Sequence, residues 1–508
     1  MAAEVELKLT IDPASLARVR EHPALAAVLS GRARTSKDVS TYYDTRSGEL
    51  RKAGVALRMR RSGHRWLQTV KGAGDRVGAL HRRPEYEWAM RTSRIDPRKL
   101  STTPWRGVFE ATAGRLRPIF VTEVDRTAQP LAFADGTRAT LCLDAGEIRA
   151  GRKRAPLNEI EIELVQGEPR QLHELALSLA ADLPVAMART SKAERGYALA
   201  SPAPREPVHA GKLALDADVS VGEALARFGS DCLEQIGANA QCIAAGVDGE
   251  FVHQARVGVR RLRSLLRLVA GLIGAETVAP IVADLQWLSS SLGAARDWDV
   301  FAKETLAAAG RALKHSQSRR NVGIVRARVT RLAHAHFVKA GAAAASPRLQ
   351  RLLLAVGALL AALESPSAHP ALHATARSLA KDTLERRARR LDKRGKHLQR
   401  ISPAERHQAR IAAKKLRYVA EVFAPLFPGS RTKDYLSALG KLQGALGHLN
   451  DLATGERILD ELGPHARTER LVHGVGIVRG WLCGAEASIL SDADRAWRKL
   501  AKAKPFWH

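Results

Sequence analysis

The first two hundred residues alternate between polar and apolar positions. Glu4, Glu6 and Lys8 are interleaved with Val5, Leu7 and Leu9, and Arg58 and Arg60 with Leu57 and Met59. Arg83, Glu85 and Glu87 form a third set beside Tyr86 and Trp88. Glu159, Glu161 and Glu163 form a fourth among Ile160, Ile162 and Leu164. A side-chain period of two is that of a strand with one polar and one apolar face. Further strands are expected at 39–45, 65–71, 118–126 and 138–144, and helices at 13–29, 106–114 and 169–181. Around eight antiparallel strands over this length predict a closed barrel or a sandwich.

The pattern then changes. Ser201 to Lys212 holds three prolines and no periodicity, which is the composition of a linker. Beyond it long Ala/Leu/Arg segments read as helices, with breaks near 271–274, 365–370 and 428–429. On a helix, His253, Arg256, Arg260 and Arg263 fall within roughly 80° of one another. Ala255, Leu262, Leu265, Leu266 and Val269 fall opposite them. At a constant offset of 154 positions, His407, Gln408, Ala409 and Arg410 repeat His253, Gln254, Ala255 and Arg256. Lys414, Lys415 and Arg417 replace Arg260, Arg261 and Arg263, and Leu446, Gly447 and Asp451 repeat Leu292, Gly293 and Asp297. An offset that does not slip is an internal duplication. It predicts an all-α second domain of two pseudo-symmetric helical bundles. The domain boundaries that follow are 1–200, a linker over 201–214, and 215–505.

Charge sharpens this division. The 508 residues carry a formal net charge of +29, an excess that calls for solvation or a polyanion. Residues 1–200 contribute 34 basic and 24 acidic side chains and the remainder 47 and 28, so the second half is the stronger polyanion binder. Its basic residues are not accompanied by an aromatic stripe, which argues against base stacking and against nucleic acid as a specific ligand. The four cysteines form no CxxC pair, so structural zinc and a disulfide framework are not expected. The N-terminus has no basic segment followed by an apolar run, and the longest apolar run, Leu352 to Leu363, is too short to span a bilayer. The expectation is a soluble cytoplasmic protein with no membrane partner. The sequence leaves the oligomeric state open.

If the polar strand faces line a barrel interior, they enclose acids and bases together. Such charges cannot stay unpaired in a low-dielectric lumen. Carboxylates suit Mg²⁺ or Mn²⁺, and guanidinium and ammonium groups suit phosphate, so the set as a whole suits a metal–polyphosphate complex. No GxxxxGK[ST] loop and no nucleophilic triad is needed for such chemistry.

Glu4-x-Glu6-x-Lys8 at the N-terminus resembles the signature of the CYTH domain, the triphosphate tunnel metalloenzymes. Further motifs follow in family order: Tyr43-Asp44-Thr45, Leu57-Arg58-Met59-Arg60, Val70-Lys71, Arg83-Pro84-Glu85-Tyr86-Glu87, Asp144-Ala145-Gly146-Glu147, Glu159 to Glu163, and Ser191-Lys192. The resemblance implies an α+β domain built on an eight-stranded antiparallel tunnel that hydrolyses a triphosphate. It implies that Lys8, Arg58, Arg60, Lys71, Arg126 and Lys192 hold phosphate oxygens. Glu4 and Glu6 would carry the divalent metal together with Glu161 and others of Glu159, Glu161 and Glu163. Those three share a face, and which of them reach the metal is open. Glu85, Glu87 and Asp144 would orient basic groups or the attacking water.

The second half resembles the CHAD domain, a conserved histidine α-helical domain. The resemblance rests on His253 to Arg263, on Leu292-Gly293 with Arg296-Asp297-x-Asp299-Val300, and on the second copy at His407, Arg410, Lys414 to Tyr418, Leu446-Gly447 and Asn450-Asp451. It implies binding of inorganic polyphosphate by His253, Arg256, Arg260, Arg261, Arg263, His407, Arg410, Lys414, Lys415 and Arg417. The histidines would act as phosphate hydrogen-bond donors and Asp297, Asp299 and Asp451 as orienters of arginines. Arg386 to Lys396 is either a solvated helix face or an extension of the phosphate surface. The whole predicts an inorganic triphosphatase that also binds polyphosphate, in the cytoplasm and at polyphosphate granules. The motifs do not separate inorganic triphosphate from nucleoside or thiamine triphosphate. An adenylate cyclase, a non-catalytic polyphosphate scaffold and a nucleic-acid binder are the competing readings.

Overall fold

The computed structural model describes residues 3–77, 79–247, 249–365, 367–462 and 468–508. The chain divides into two compact units, Met1–Glu206 with Ser346–Ser365, and Pro207–Ala345 with Pro366–His508.

The sheet of the first unit contains β1 (Ala3–Thr10), β2 (Arg34–Asp44), β3 (Val55–Ser62), β4 (Arg65–Gly72), β5 (Asp75–Val77), β6 (Leu80–Met90), β7 (Arg117–Ala132), β8 (Arg138–Ala150), β9 (Lys153–Gln166) and β10 (Ala186–Met187). Eight of them close a ring in the order β1, β9, β8, β7, β2, β3, β4, β6 and back to β1, every pair antiparallel. Closure removes the sheet edges, so a closed barrel replaces the sandwich alternative. On one edge of β1 runs β9; the opposite edge is shared, β6 pairing with Ala3–Leu7 and β10 with Leu9 and Thr10.

The barrel reverses the usual polarity of a core. Leu7, Leu9, Leu57, Ile160 and Ile162 point outward and are buried under helices, while their alternating neighbours turn charge inward. The covering helices are α1 (Pro13–Val19), α2 (Pro23–Ala26), α3 (Glu49–Lys52), α4 (Pro97–Leu100), α5 (Arg106–Ala111), α6 (Arg170–Asp182) and α7 (Lys192–Ala200). The single helix expected over 13–29 is two, because His22 precedes a proline and takes extended angles (φ −69°, ψ 130°) as the cap of α2. On β3, Val55 and Leu57 join Leu50, Leu100 and Phe109 in one apolar cluster.

The second unit is helical: α8 (Val221–Ala244), α9 (Gly249–Ile273), α10 (Ala279–Val300) continuing through a π turn at Phe301–Thr305, α11 (Leu306–Ala312), α12 (Ser316–Ala344), then α14 (Ala376–Gly395), α15 (Pro403–Phe423), α16 (Ser430–Leu462) and α17 (Glu469–Ala501). The duplicated segments fall on α9 and α15, and on α10 and α16. Trp298, Phe301, Val325, Ile458, Val478 and Leu482 belong to one core cluster. On α9 the apolar residues Ala255, Leu262, Leu265, Leu266 and Val269 are all buried. Residues 202–216 form no helix or strand, and within them Val208 exchanges hydrogen bonds with Asn239 of α8 at 3.1 and 2.8 Å. Among the described residues no single helix is long and apolar enough to cross a membrane, and the four cysteines are free.

The helix between α12 and α14, α13 (Pro347–Leu363), departs from the boundary drawn on the sequence. It belongs to the first unit, packed on α6 and β10. Its Ala/Leu composition matches that of its neighbours in the chain, so nothing in periodicity separates it from them.

Candidate functional site: a charged lumen and a cationic groove

The barrel encloses a cavity of about 950 Å³ lined by Glu4, Glu6, Lys8, Arg58, Arg60, Lys71, Arg83, Glu85, Glu87, Arg126, Glu161, Glu163 and Lys192. Strand alternation puts them there; cross-strand register decides which meet. Lys8 lies opposite Glu161 and Glu6 opposite Glu163. Glu4 lies opposite Arg83, and Lys71 opposite Glu85.

Three groups result. At one, the carboxylates of Glu4, Glu6 and Glu163 offer oxygens within 4.8 Å of one another. Burial and the charges of Glu161, Glu6 and Glu4 raise the Glu163 carboxyl, against Arg126. Burial would raise Glu4 too, but Lys71 and Arg83 hold it well below the carboxylate range.

At the second, Glu159, Glu161 and Asp144 are buried and bound to cations. Lys192 reaches Glu159 and Glu161 at 2.7 Å and Asp144 at 2.8 Å. Lys8 reaches Glu161 at 2.6 Å and Glu6 at 3.0 Å. Arg126 grips Asp144 with two 2.7 Å bonds. Of the wide metal set expected from sequence, Glu163 lies with Glu4 and Glu6, whereas Glu159 and Glu161 are paired with lysines and arginines. Asp144 and Glu159 lie behind the residues that line the cavity, Asp144 paired with Arg126 and Lys192.

At the third, Glu85 lies 3.1 Å from Lys71 and 3.7 Å from Arg58, and Glu87 accepts from Arg60 at 2.8 Å. Burial, then Arg83 and Arg58, depress the Lys71 ammonium despite Glu4 and Glu85. The buried Nε–H groups of Arg58 and Arg60 have no protein acceptor. The lumen therefore contains a corner of three carboxylates, paired with Lys71, Arg83 and Lys8, and a wall of arginines whose Nε–H donors have no protein acceptor.

Two further cations of these ion pairs carry no role in the reading from sequence. Arg83 bonds Glu4 at 3.1 Å and Glu6 at 2.5 Å; its signal was its place at the head of the Arg83, Glu85, Glu87 alternation. Arg195 bonds Glu159 at 2.6 Å; its signal was its spacing of three from Lys192 on α7.

In the second unit the duplicated stripes meet in part. Lys414 on α15 is pushed down to about 8 by burial, then by Arg410, Arg260 and Arg256. Burial also lowers Arg410, with Arg260 opposing its charge. Arg256 donates to Asp297 at 2.9 Å and to the Gly293 carbonyl at 3.0 Å. The buried Nε–H groups of Arg260 and Arg410 have no protein acceptor. Half-buried His253 is held below the ordinary imidazole value by burial and Arg296, whereas His407 is exposed.

The other expected members diverge. Arg261 is in the core, 2.7 Å from Asp231 and stacked over Phe228, because its position in the turn places it on the apolar flank. Arg417 is tied to Glu421 at 2.7 Å and to Gln443. Lys415 faces Arg267, Arg387, Arg390 and Arg394, and Arg263 faces Arg267. Arg386, Arg387, Arg389 and Arg390 of α14 line a second cavity of about 550 Å³ with Arg267, over a floor that includes Leu268 and Leu379.

Fold and lining define a closed antiparallel tunnel of mixed charge followed by a basic helical module. Residues 2–197 are a CYTH domain and residues 228–460 a CHAD domain. An inorganic triphosphatase of Haemophilus influenzae is 30% identical over 204 residues, which are 40% of this chain. The matched part spans 56% of that relative's length. A crystal structure of the CHAD domain from the plant Ricinus communis is 34% identical, covering 59% of this chain and 98% of that one, with a TM-score of 0.52. PptA from Streptomyces chartreusis is 18% identical, covering 55% of this chain and 99% of that one, with a TM-score of 0.39.

Proposed function

We propose that the tunnel hydrolyses inorganic triphosphate with a divalent cation, Mg²⁺ or Mn²⁺, and that the helical module binds inorganic polyphosphate. The observation that supports the first half is that one cavity holds both three carboxylates close enough to share a hard cation and arginine donors without acceptors. A metal–triphosphate complex supplies both the cation and the acceptors.

Glu4, Glu6 and Glu163 fit a hard cation, since all three offer oxygen and burial leaves Glu163 undercompensated. When bound, the cation neutralises phosphate oxygens and acidifies water. Arg58, Arg60, Lys71, Arg126, Lys8 and Lys192 line the path of the polyanion. They hold its oxygens in line and withdraw charge from the bridging oxygen as it leaves, which is most of what phosphoryl transfer asks of a protein. Glu85 and Glu87 keep Lys71 and Arg60 aimed into the lumen; Asp144 does the same for Arg126 and Lys192. Water attacks directly, without a covalent enzyme intermediate.

In the helical module Arg256, Arg260, Arg410 and Lys414 form one groove. The unpartnered donors of Arg260 and Arg410 suit phosphate oxygens. The arginines of α14 extend the basic surface. Both ligands are metabolites of the cytoplasm, which is where we place the protein.

The test is phosphate release from inorganic triphosphate, ATP, thiamine triphosphate and long-chain polyphosphate, each with Mg²⁺, Mn²⁺ or chelator. Metal-dependent release greatest for inorganic triphosphate is expected. Cyclic AMP from ATP establishes the cyclase reading instead, and no release from any substrate leaves only a scaffold.

A further inference from the structure

We propose that α13, which lies in the chain among the helices of the CHAD region, staples the closing seam of the barrel and positions the metal strand β1. The seam is a specific place. Along one edge of β1 the partner changes from β6 to β10 between Leu7 and Leu9. Lys8 sits at the change: its N–H donates to the Ala79 carbonyl at 2.9 Å, and its carbonyl accepts from the Ala188 N–H at 3.0 Å. A two-residue strand such as β10 has little hold of its own on β1.

α13 is fastened on both sides of this change. Near its start, the Gln350 side-chain oxygen accepts from the Met187 N–H of β10 at 3.2 Å. At its end, the Glu364 carboxylate lies 3.3 Å from the Arg82 guanidinium on β6. Between them Gly357 faces His173 of α6, where a Cβ would stand 3.3 Å from Nε2. The helix thus joins β10 to β6 across the point where neither alone covers β1. From β10 the chain runs four residues on to Ser191, whose hydroxyl caps α7 and so fixes Lys192. Gln350 and Glu364 are positioning residues: they hold the strands that carry Glu4, Glu6, Lys8 and Arg83.

The kinetic part rests on the proposed triphosphatase activity; the structural part does not. The test uses the full chain with Gln350→Ala, Glu364→Ala, the double variant, and the charge swap Arg82→Glu with Glu364→Arg. Amide exchange is followed at residues 7–10 and, as a fold control, on α9. The double variant is expected to exchange faster at 7–10 with α9 unchanged. Its kcat for inorganic triphosphate is expected to fall ~10-fold or more with a small change in KM, as small misplacements of catalytic groups do. The charge swap is expected to restore exchange protection at 7–10 relative to Glu364→Ala; Arg82 also lines the lumen, so exchange and not kcat is its readout. Unchanged exchange at 7–10 in the double variant overturns the staple, and faster exchange with unchanged kcat overturns the positioning. A wild type that releases no phosphate defeats the functional reading alone, since exchange at 7–10 still decides whether the staple exists.

Discussion

Lys8 and Glu161 face each other across the β1–β9 ladder, Nζ to Oε1 2.6 Å, both buried, while the next rung of the same face sets the carboxylates of Glu6 and Glu163 opposite each other, Glu6 held by Lys8 and Arg83 and Glu163 3.7 Å from Arg126. The two rungs of one pair of strands therefore differ: one pairs unlike charges directly, the other sets two carboxylates opposite each other, where the proposed cation would bind. Glu163→Gln is expected to raise the Mg²⁺ concentration for half-maximal phosphate release tenfold or more, with little change in unfolding temperature. Glu161→Gln is expected to lower the unfolding temperature clearly, because it takes one buried carboxylate from Lys8, Lys192 and Arg126 and leaves them Glu6, Glu159 and Asp144. Metal titrations and thermal unfolding of both variants check this; equal metal effects from the two would reject the division.

Arg83 holds Glu4 and Glu6, the carboxylates proposed for the metal, and on that reading would compete with the ion for them. Arg83→Met leaves Glu4 with Lys71 and Glu6 with Lys8 but takes one cation from each, so the protein without substrate should bind Mg²⁺ more tightly. The same change removes a cation from the triphosphate path, so KM should rise. Calorimetric Mg²⁺ titration and steady-state kinetics read the two signs separately; weaker metal binding in the variant would make Arg83 a support of the trio and not its rival.

Much of this was legible in the residues. The period-two charges of β1, β3, β6 and β9 announced both the strands and the polar lumen, since alternation encodes face. Depth along the lumen was not encoded: Glu159, Glu161 and Glu163 look equivalent until the register sets Glu161 on Lys8 and Glu163 on Glu6. The repeat at 154 positions predicted equivalent helices, and Arg256, Arg260, Arg410 and Lys414 converge. Arg261 sits one residue from Arg260, and that 100° step takes it from the groove to the core against Phe228. α13 was hidden for a different reason. An apolar helix declares that it is buried, not what buries it.

His173 supplies a pH dependence of stability. Burial on α6 pushes its imidazole down to about 4, against an ordinary value of 6.5. The folded chain holds it neutral while the unfolded chain protonates it near 6.5. Its contribution is complete above that pH and is lost as pH falls toward 4, a change of about 3 kcal/mol for a shift of this size. Amide exchange of α6 should show the first unit weakening over that interval. His173→Leu should flatten the profile; a wild-type slope retained in this variant would assign the effect elsewhere.

Lys414 makes a sharper prediction for the groove. Its ammonium titrates near 8 because it is half-buried beside Arg410, Arg260 and Arg256 with little acid to offset them. A polyanion laid over these four groups supplies negative charge and raises that value. Below pH 8 the free and bound forms are both protonated, and affinity is level. Above pH 8 binding must take up a proton, so affinity for polyphosphate should fall by up to tenfold per pH unit until the bound form also titrates. Lys414→Arg keeps the charge and removes the titration, so its affinity should stay level across pH 7–9. Lys414→Gln should also be level, but weaker, and its log–log salt slope should be shallower by roughly 0.7–0.9, the loss of one phosphate contact by analogy with nucleic acid. Titrations of long-chain polyphosphate against the full-length protein at three pH values and three salt concentrations separate the variants. If Lys414→Arg retains the wild-type fall above pH 8, then the proton is taken up elsewhere and Lys414 is not in the groove that the polyanion occupies.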